Sequence, residues 1–126
     1  HGYTYSGHPV ACAAGLASLD VYEEEGTFQQ VRELEPLFED AIHSLADHPL
    51  VTDVRNFGLM GGIDLVSREG APGMRGLEAH KKCFWEEDIV VRHSADLLQF
   101  SPFLNSRPED ITMTFETVRK VLDSID

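Results

Sequence analysis

The spacing of apolar residues changes from a helical period to an alternating period at Leu50, and this change constrains the fold more than any other feature of the chain. Before Leu50 the apolar residues recur every three or four positions. After it, residues 51–56 and 60–66 alternate between apolar and polar side chains, and Gly58 separates the two runs. The pattern predicts two helices followed by a pair of strands that are joined by a tight turn.

Two helices are predicted ahead of this strand pair. The first begins at Pro9, which suits the first helical position because it lacks an N–H, and ends near Gly26. Thr27 is expected to cap the second helix, and Pro36 is expected to kink or break it. The second helix is predicted to bury a stripe of apolar side chains: Val31, Leu34, Phe38, Ala41, Ile42 and Leu45.

The second half of the chain is predicted to add a short helix and two short strands. Residues 67–76 have no period and are rich in glycine, so they are predicted to form a loop. Residues 77–85 are predicted to form the helix. Residues 89–92 and 97–100 are predicted to form strands on either side of a turn at residues 94–96.

A final amphipathic helix is predicted to complete the chain. It begins at Pro108, with Ser106 or Arg107 at the cap. Its buried stripe consists of Ile111, Phe115, Val118, Leu122 and Ile125. The whole order of helices and strands predicts a two-layer α+β fold, with a small, largely antiparallel sheet and helices on one face.

The charge and composition of the chain limit its possible functions. Its 126 residues include 22 acidic and 10 basic side chains, a formal charge of -12 that would repel a nucleic-acid backbone. No apolar run approaches the roughly 20 residues of a membrane-spanning helix, so neither nucleic acid nor membrane is an expected partner. Cys12 and Cys83 lie far apart, so we expect free thiols and a cytoplasmic protein. The histidines lack zinc-ligand spacing, and no metal site is predicted.

Two features are candidate binding groups. Residues 3–8, Tyr-Thr-Tyr-Ser-Gly-His, lead into a helix N-terminus, whose unpaired N–H groups and dipole favour an anion such as phosphate. The alternative is that Ser6 or His8 simply caps this helix. Arg92 ends an apolar strand, where its planar guanidinium suits a carboxylate; the alternative is a solvated surface arginine. Trp85 is expected to be a core anchor.

Three stretches of the chain resemble the class III aminotransferases, enzymes of fold type I that use pyridoxal 5'-phosphate (PLP). They are residues 1–11 (HGYTYSGHPVA), 55–62 (RNFGLMGG) and 91–108 (VRHSADLLQFSPFLNSRP). The last stretch is most similar to the branch that acts on omega-amino acids, such as beta-alanine, with pyruvate. The resemblance covers nearly all of the chain but only the last part of the family's length. Because the first residue, His1, is also not a methionine, we expect a piece of a longer polypeptide.

The resemblance implies roles for four residues. Thr4 would contact the PLP phosphate of the neighbouring subunit, and Tyr3 would lie near the cofactor. Tyr5 would lie on the substrate side of the active-site mouth. Arg92 would bind the substrate carboxylate and swing away to admit other groups. A long side chain with a bidentate head suits this role because one pocket must accept both an omega-amino acid and pyruvate.

The resemblance also implies a division of the chain. Residues 1–26 would be an inter-domain segment and linking helix that carries the phosphate-side loop. Residues 27–126 would be the carboxyl-terminal small domain of the PLP fold type I enzymes. The α+β fold that the apolar pattern predicts is compatible with such a domain.

No catalytic residue is assigned in this chain. The family's Schiff-base lysine has no counterpart at Lys81, Lys82 or Lys120, so the chain alone is expected to be inactive. The intact enzyme is expected to be a homodimer or higher homo-oligomer that moves an amino group from an omega-amino acid to pyruvate, with small amino and keto acids as its partners. Two alternatives remain open: another class III activity, on 4-aminobutyrate or a diamine, and a non-catalytic α+β interaction module.

Overall fold

A computed structural model of the chain describes residues 2–126, so the place of His1 in the opening motif lies outside the described residues. The elements follow the predicted order of helices and strands. They are α1 (Pro9–Glu24), α2 (Thr27–His43), a 3-10 turn (Ser44–Asp47), β1 (Val51–Phe57), β2 (Met60–Leu65), α3 (Met74–Trp85), β3 (Arg92–Ser94), β4 (Leu97–Phe100) and α4 (Pro108–Asp123).

The four strands form one antiparallel sheet in the order β1-β2-β4-β3. The hairpin between β1 and β2 turns at Gly58, whose φ of 57° lies in the region that favours glycine. Ile63 of β2 lies opposite Leu98 of β4, and Gln99 of β4 lies opposite Arg92 of β3. Because successive residues of a strand face opposite sides, Ile63 and Leu98 share one face, and Arg92 and Gln99 share the other.

Helices α2, α3 and α4 cover the face that carries Ile63 and Leu98, and the core lies between the two layers. The ring centroid of Phe115 lies 5.4 Å from that of Phe38 and 5.0 Å from that of Phe100. The α+β prediction is confirmed. The buried apolar side chains are Leu34, Phe38, Ile42, Leu45, Leu59, Ile63, Leu65, Ala79, Cys83, Val91, Leu98, Phe100, Ile111, Phe115, Val118, Val121, Leu122 and Ile125.

The helix starts agree only in part with the prediction. Gly26, with a φ of 63°, is the cap of α2, and Thr27 is the buried first residue of that helix rather than its cap. α2 continues through Pro36 without the predicted break, because apolar residues on both sides of the proline pack into the same core. At α4, Arg107 is the cap and Pro108 is the first helical residue, as predicted.

The prediction of a strand at residues 89–92 was wrong, because β3 begins only at Arg92. The carbonyl of Val91 accepts a hydrogen bond from Nδ1 of His80, at 2.7 Å, and is therefore bound to α3 rather than to a neighbouring strand. Arg92 thus begins its strand instead of ending it.

A buried carboxylate attaches the turn between β3 and β4 to the start of α3. This helix begins at Met74, inside the stretch predicted to be a loop. Asp96 accepts hydrogen bonds from the N–H groups of Gly73 (2.7 Å) and Gly76 (3.0 Å) and from the hydroxyl of Ser67 (2.7 Å). Burial by itself would raise the pKa of Asp96, but these hydrogen bonds together hold that pKa below its usual value. The turn is therefore fixed to α3, and β3 with it.

Trp85 is not the core anchor that the sequence predicted. Its side chain is 76% exposed, and it contacts the neighbouring ring of Phe84 edge-on, with ring centroids 4.6 Å apart. The buried face of α3 includes Ala79 and Cys83, which are four residues apart. A residue two positions beyond Cys83 points away from that face, so the indole is left outside the core.

Helix α1 lies outside the core. None of its residues is buried, and Leu16 and Leu19 are 64% and 59% exposed. Cys12, on the same helix, is exposed, whereas Cys83 is fully buried in the core. Burial, together with the nearby charge of Glu87, raises the pKa of Cys83 to about 11. α1 therefore gains little from the apolar core that the other helices share.

Candidate functional site

The opening segment forms two successive turns that lead into α1. The N–H of Ser6 donates a hydrogen bond to the carbonyl of Tyr3, and the N–H of His8 donates one to the carbonyl of Tyr5, both at 3.1 Å. Thr4 lies within the first of these turns and is exposed. The segment therefore presents its hydroxyl groups at the surface, just before the N-terminus of α1.

The start of α1 has unpaired backbone donors. His8 holds the cap position, but its side chain makes no capping hydrogen bond, and neither does Ser6, so the predicted side-chain caps are absent from residues 2–126. The first turn of α1 contains no acidic residue. Thr4 has an exposed hydroxyl, and Tyr3 and Tyr5 are 73% and 83% exposed. A hydroxyl beside an uncapped helix N-terminus suits the binding of a phosphate group.

A second feature is a cavity of about 650 Å³ at the β3 edge of the sheet, beside α4. Arg92 and Gln99 line it from the sheet. Its apolar wall includes Phe38, Phe100, Ile111, Met113 and Phe115, and its polar groups include Ser106 and Asp110. The structure thus places the predicted carboxylate-binding arginine at the rim of a cavity whose wall is mostly apolar.

Arg92 supplies the cavity's unpaired positive charge. It is the only basic residue among those lining the cavity, and it has no ion pair or side-chain hydrogen bond within residues 2–126. The acidic lining residue, Asp110, is bound by Arg107, whose N–H and Nη2 each lie 2.9 Å from its carboxylate. The hydrogen bonds from Arg107 lower the pKa of Asp110. A free guanidinium beside an apolar wall can hold a small carboxylate that carries an apolar body.

Gln99 is a residue of this cavity that the sequence analysis missed. It lies opposite Arg92 in the register of β3 and β4 and lines the same cavity. Its amide oxygen is enclosed and has no hydrogen-bond partner within the described chain. In the sequence, Gln99 stands out only as a single amide side chain between apolar residues, in the run Leu-Leu-Gln-Phe. The strand register is needed to show that it lies opposite Arg92.

The structure does not bring all of the predicted site residues together. Tyr3, Thr4 and Tyr5 lie at the start of α1, and none of them lines the cavity around Arg92. The predicted phosphate-binding loop and the predicted carboxylate-binding arginine are therefore two separate features of this chain.

The three lysines do not line the cavity either. Lys82 forms an ion pair with Glu86 at 3.4 Å, and Lys120 forms one with Glu87 at 2.7 Å. Lys81 is exposed on α3. Among residues 2–126, therefore, no lysine amine stands beside Arg92.

Two other kinds of feature are absent from the described part of the chain. Across residues 2–126, no group of three or more His, Cys, Asp or Glu side chains could hold a metal ion. Over the same residues, no helix has both the length and the apolar character needed to cross a membrane.

Comparison with known proteins gives a consistent family. A family model described as aminotransferase class-III matches residues 1–122. An omega-aminotransferase of Caulobacter vibrioides is 47% identical over 126 residues, which are 100% of this chain and 28% of that protein. A beta-alanine–pyruvate aminotransferase of Pseudomonas aeruginosa is 46% identical over 125 residues, which are 99% of this chain and 28% of that protein.

Solved structures give the same answer for the fold. A thermostable omega transaminase variant from Pseudomonas jessenii superposes with a TM-score of 0.89 at 30% sequence identity. The match covers 98% of this chain and 29% of that one. The chain thus spans less than a third of the length of the proteins it matches.

Proposed function

The chain belongs to the class III aminotransferases, and from that membership we propose that it is the carboxyl-terminal part of a PLP-dependent enzyme that moves an amino group from an omega-amino acid to pyruvate. The names of two similar proteins support this choice: omega-aminotransferase agrees with the donor class, and beta-alanine–pyruvate aminotransferase agrees with both the donor and the acceptor. The observation that carries the proposal is the unpaired Arg92 guanidinium at the rim of an apolar cavity.

We further propose that residues 1–26 form the inter-domain segment and residues 27–126 the small domain of a homodimeric, cytoplasmic enzyme. The absence of buried residues in α1 supports this division, because its exposed apolar side chains, such as Leu16 and Leu19, would be covered by polypeptide outside this chain. The lysine that forms the Schiff base would also come from outside this chain. The segment alone would then have no transaminase activity.

In this proposal Arg92 binds the carboxylate of the substrate. Its guanidinium can donate two parallel N–H···O hydrogen bonds, which fix both the position and the orientation of the carboxylate. The apolar wall beside it, which includes Phe100 and Phe115, holds the carbon chain and excludes water. Binding at one end of the substrate then determines where the amino or keto group at the other end lies.

Thr4 and the N-terminus of α1 would hold the cofactor phosphate of the neighbouring subunit, with Tyr3 close by. The uncapped N–H groups and the exposed hydroxyl of Thr4 fit such a group. PLP, when bound, supplies an electron sink for the exchange of the amino group. This chain would thus contribute one group for the cofactor phosphate of the neighbouring subunit and another, Arg92, for the carboxylate of a substrate.

The substitution Arg92→Ala in the full-length enzyme tests the carboxylate role. We expect KM to rise about 10-fold to 100-fold for donors with a carboxylate, because charge-assisted hydrogen bonds are lost, and to stay within about twofold for simple amines. Steady-state kinetics with paired donors measures this. Arg32→Ala, at an exposed arginine of α2, is the matched control. Equal losses for both kinds of donor would remove Arg92 from this role.

The substitution Thr4→Ala tests the phosphate role. We expect the dissociation constant of PLP to rise about fivefold, because one hydrogen bond to an anion is lost, and Thr4→Ser to stay close to wild type. Dialysis followed by absorbance of the retained cofactor measures this. Unchanged retention in Thr4→Ala would leave Thr4 as part of the helix entry only.

A further inference from the structure

We propose that Gln99 is a positioning residue, which holds the guanidinium of Arg92 through its amide oxygen and thereby strengthens the binding of carboxylates. The inference rests on the proposed role of Arg92. It adds Gln99 to the proposed carboxylate site, as the residue that orients Arg92.

The enclosed amide oxygen of Gln99 needs a donor. It has no hydrogen-bond partner within residues 2–126, and an enclosed, unpaired oxygen is unfavourable. Gln99 has two cross-strand neighbours, Gly62 on β2 and Arg92 on β3. Gly62 has no side chain, and Arg55, which lies opposite Gly62 on β1, is already paired with Asp53 and Asp64. Arg92 carries five N–H donors, none of which is paired within the described chain.

The register brings these two side chains together. Residues that lie directly opposite each other in an antiparallel pair have Cβ atoms about 5 Å apart and point to the same face. Arg92 and Gln99 are such a pair, and both line the cavity of about 650 Å³. We therefore infer that a different rotamer of the long, exposed Arg92 side chain brings one of its N–H groups to the amide oxygen.

Such a contact would improve carboxylate binding in a specific way. A free arginine side chain loses rotamer entropy when it binds a ligand, and a partner that already restricts it reduces that loss. One N–H of Arg92 would be held by Gln99, and two others would remain for the two oxygens of the ligand. Gln99 would thus act through Arg92 rather than on the reacting atoms.

The test uses the full-length enzyme with propionate, a carboxylate that carries no amino group, as the probe. In Gln99→Leu we expect the dissociation constant of propionate, measured by calorimetry, to rise about fivefold. In Gln99→Glu we expect a rise of about tenfold or more, because the new carboxylate would pair with Arg92 and compete with the ligand. Gln29→Leu, the same change at an exposed position of α2, is the matched control and should stay within about twofold.

A double-mutant cycle separates this proposal from the one it rests on. If Gln99 acts through Arg92, Gln99→Leu causes no further loss in the Arg92→Ala background. If Arg92→Ala leaves propionate binding unchanged, the role of Arg92 is wrong and that of Gln99 with it. If Arg92→Ala weakens binding but Gln99→Leu does not, or if the two losses are additive, only the role of Gln99 is overturned. Kinetics with a simple amine should be unchanged in Gln99→Leu.

Discussion

Helices α1 and α4 have the same length, 16 residues, but opposite relations to the core. α4 buries five side chains, and its N-terminus is closed by hydrogen bonds that the backbone N–H and the guanidinium of Arg107 donate to the carboxylate of Asp110. α1 buries none, and its N-terminus has no side-chain cap. The apolar face of α4 is therefore buried within residues 27–126, whereas α1 contributes no buried side chain to that core.

The two proposed anion-binding features differ in the same way: one is held by the core and the other is not. Arg92 lies in a strand that is fixed to α3 by the hydrogen bonds of Asp96, so its backbone is held by the core. Thr4 precedes α1, which the core does not hold. We therefore expect the carboxylate side of the site to be preformed in this chain and the phosphate side to depend on the rest of the enzyme.

The largest expected effect contrasts a core residue of α4 with an exposed residue of α1. Phe115→Ala should lower the free energy of unfolding by about 3–5 kcal/mol, because it opens a cavity between Phe38 and Phe100. Leu16→Ala, at a side chain that is 64% exposed, should change it by less than about 0.5 kcal/mol. Urea unfolding followed by circular dichroism measures both. If the two variants lowered the free energy of unfolding by similar amounts, Leu16 of α1 would be part of the core.

A smaller contrast is expected between two glycines. At Gly76 an added Cβ would collide with the carbonyl oxygen of Ala95 and lie 2.9 Å from Cα of Asp96, so Gly76→Ala should cost about 1–3 kcal/mol. At Gly15, in α1, an added Cβ meets nothing within 4 Å, so Gly15→Ala should stabilise the helix by about 0.5–1 kcal/mol. The melting temperature should therefore fall in Gly76→Ala and rise in Gly15→Ala. Shifts of the same sign would contradict the expected difference between the packed start of α3 and the exposed helix α1.

The smallest effect concerns Asp96. Asp96→Asn should lower stability at neutral pH by about 1–2 kcal/mol, because an amide cannot accept all of the hydrogen bonds that the carboxylate receives. Its folded-state pKa is lowered, so the stability it supplies is complete above the unfolded-state pKa of about 3.9 and is lost as the pH falls further.

Unfolding curves recorded between neutral pH and about pH 3 should therefore show the gap between wild type and Asp96→Asn closing on the acid side. Asp20→Asn, at an exposed position of α1, is the control and should follow wild type throughout. A gap that is independent of pH would show that the charge of Asp96 is not what holds the turn.

The spacing of apolar residues correctly predicted the long amphipathic helices, because the burial of one helix face requires apolar residues at a regular spacing over several turns. The stripes of α2 and α4 are of this kind. It failed at residues 89–91, where the N–H of Ile89 and the carbonyl of Val91 form hydrogen bonds with α3, and at Trp85, which lies on the exposed side of α3. A run of three or four apolar residues shows neither of these outcomes.

The candidate site, like the fold, could be predicted only in part from the sequence. The chemistry of Arg92 could be inferred from its residue type, and the structure places it at a cavity, although its role remains a prediction. The importance of Gln99 could not be inferred, because its closeness to Arg92 depends on the register of two strands. Residue types indicate which groups can bind an anion, but only the folded sheet shows which of them are neighbours.

Of the two cysteines, only Cys12 has a thiol that a labelling reagent can reach. Cys12 is exposed on α1, whereas Cys83 is buried and, with a pKa of about 11, stays protonated at neutral pH. A maleimide dye would therefore label Cys12 selectively. Its emission would change when another polypeptide surface covers α1, so a fluorophore there would report the docking of this segment onto the remainder of the enzyme.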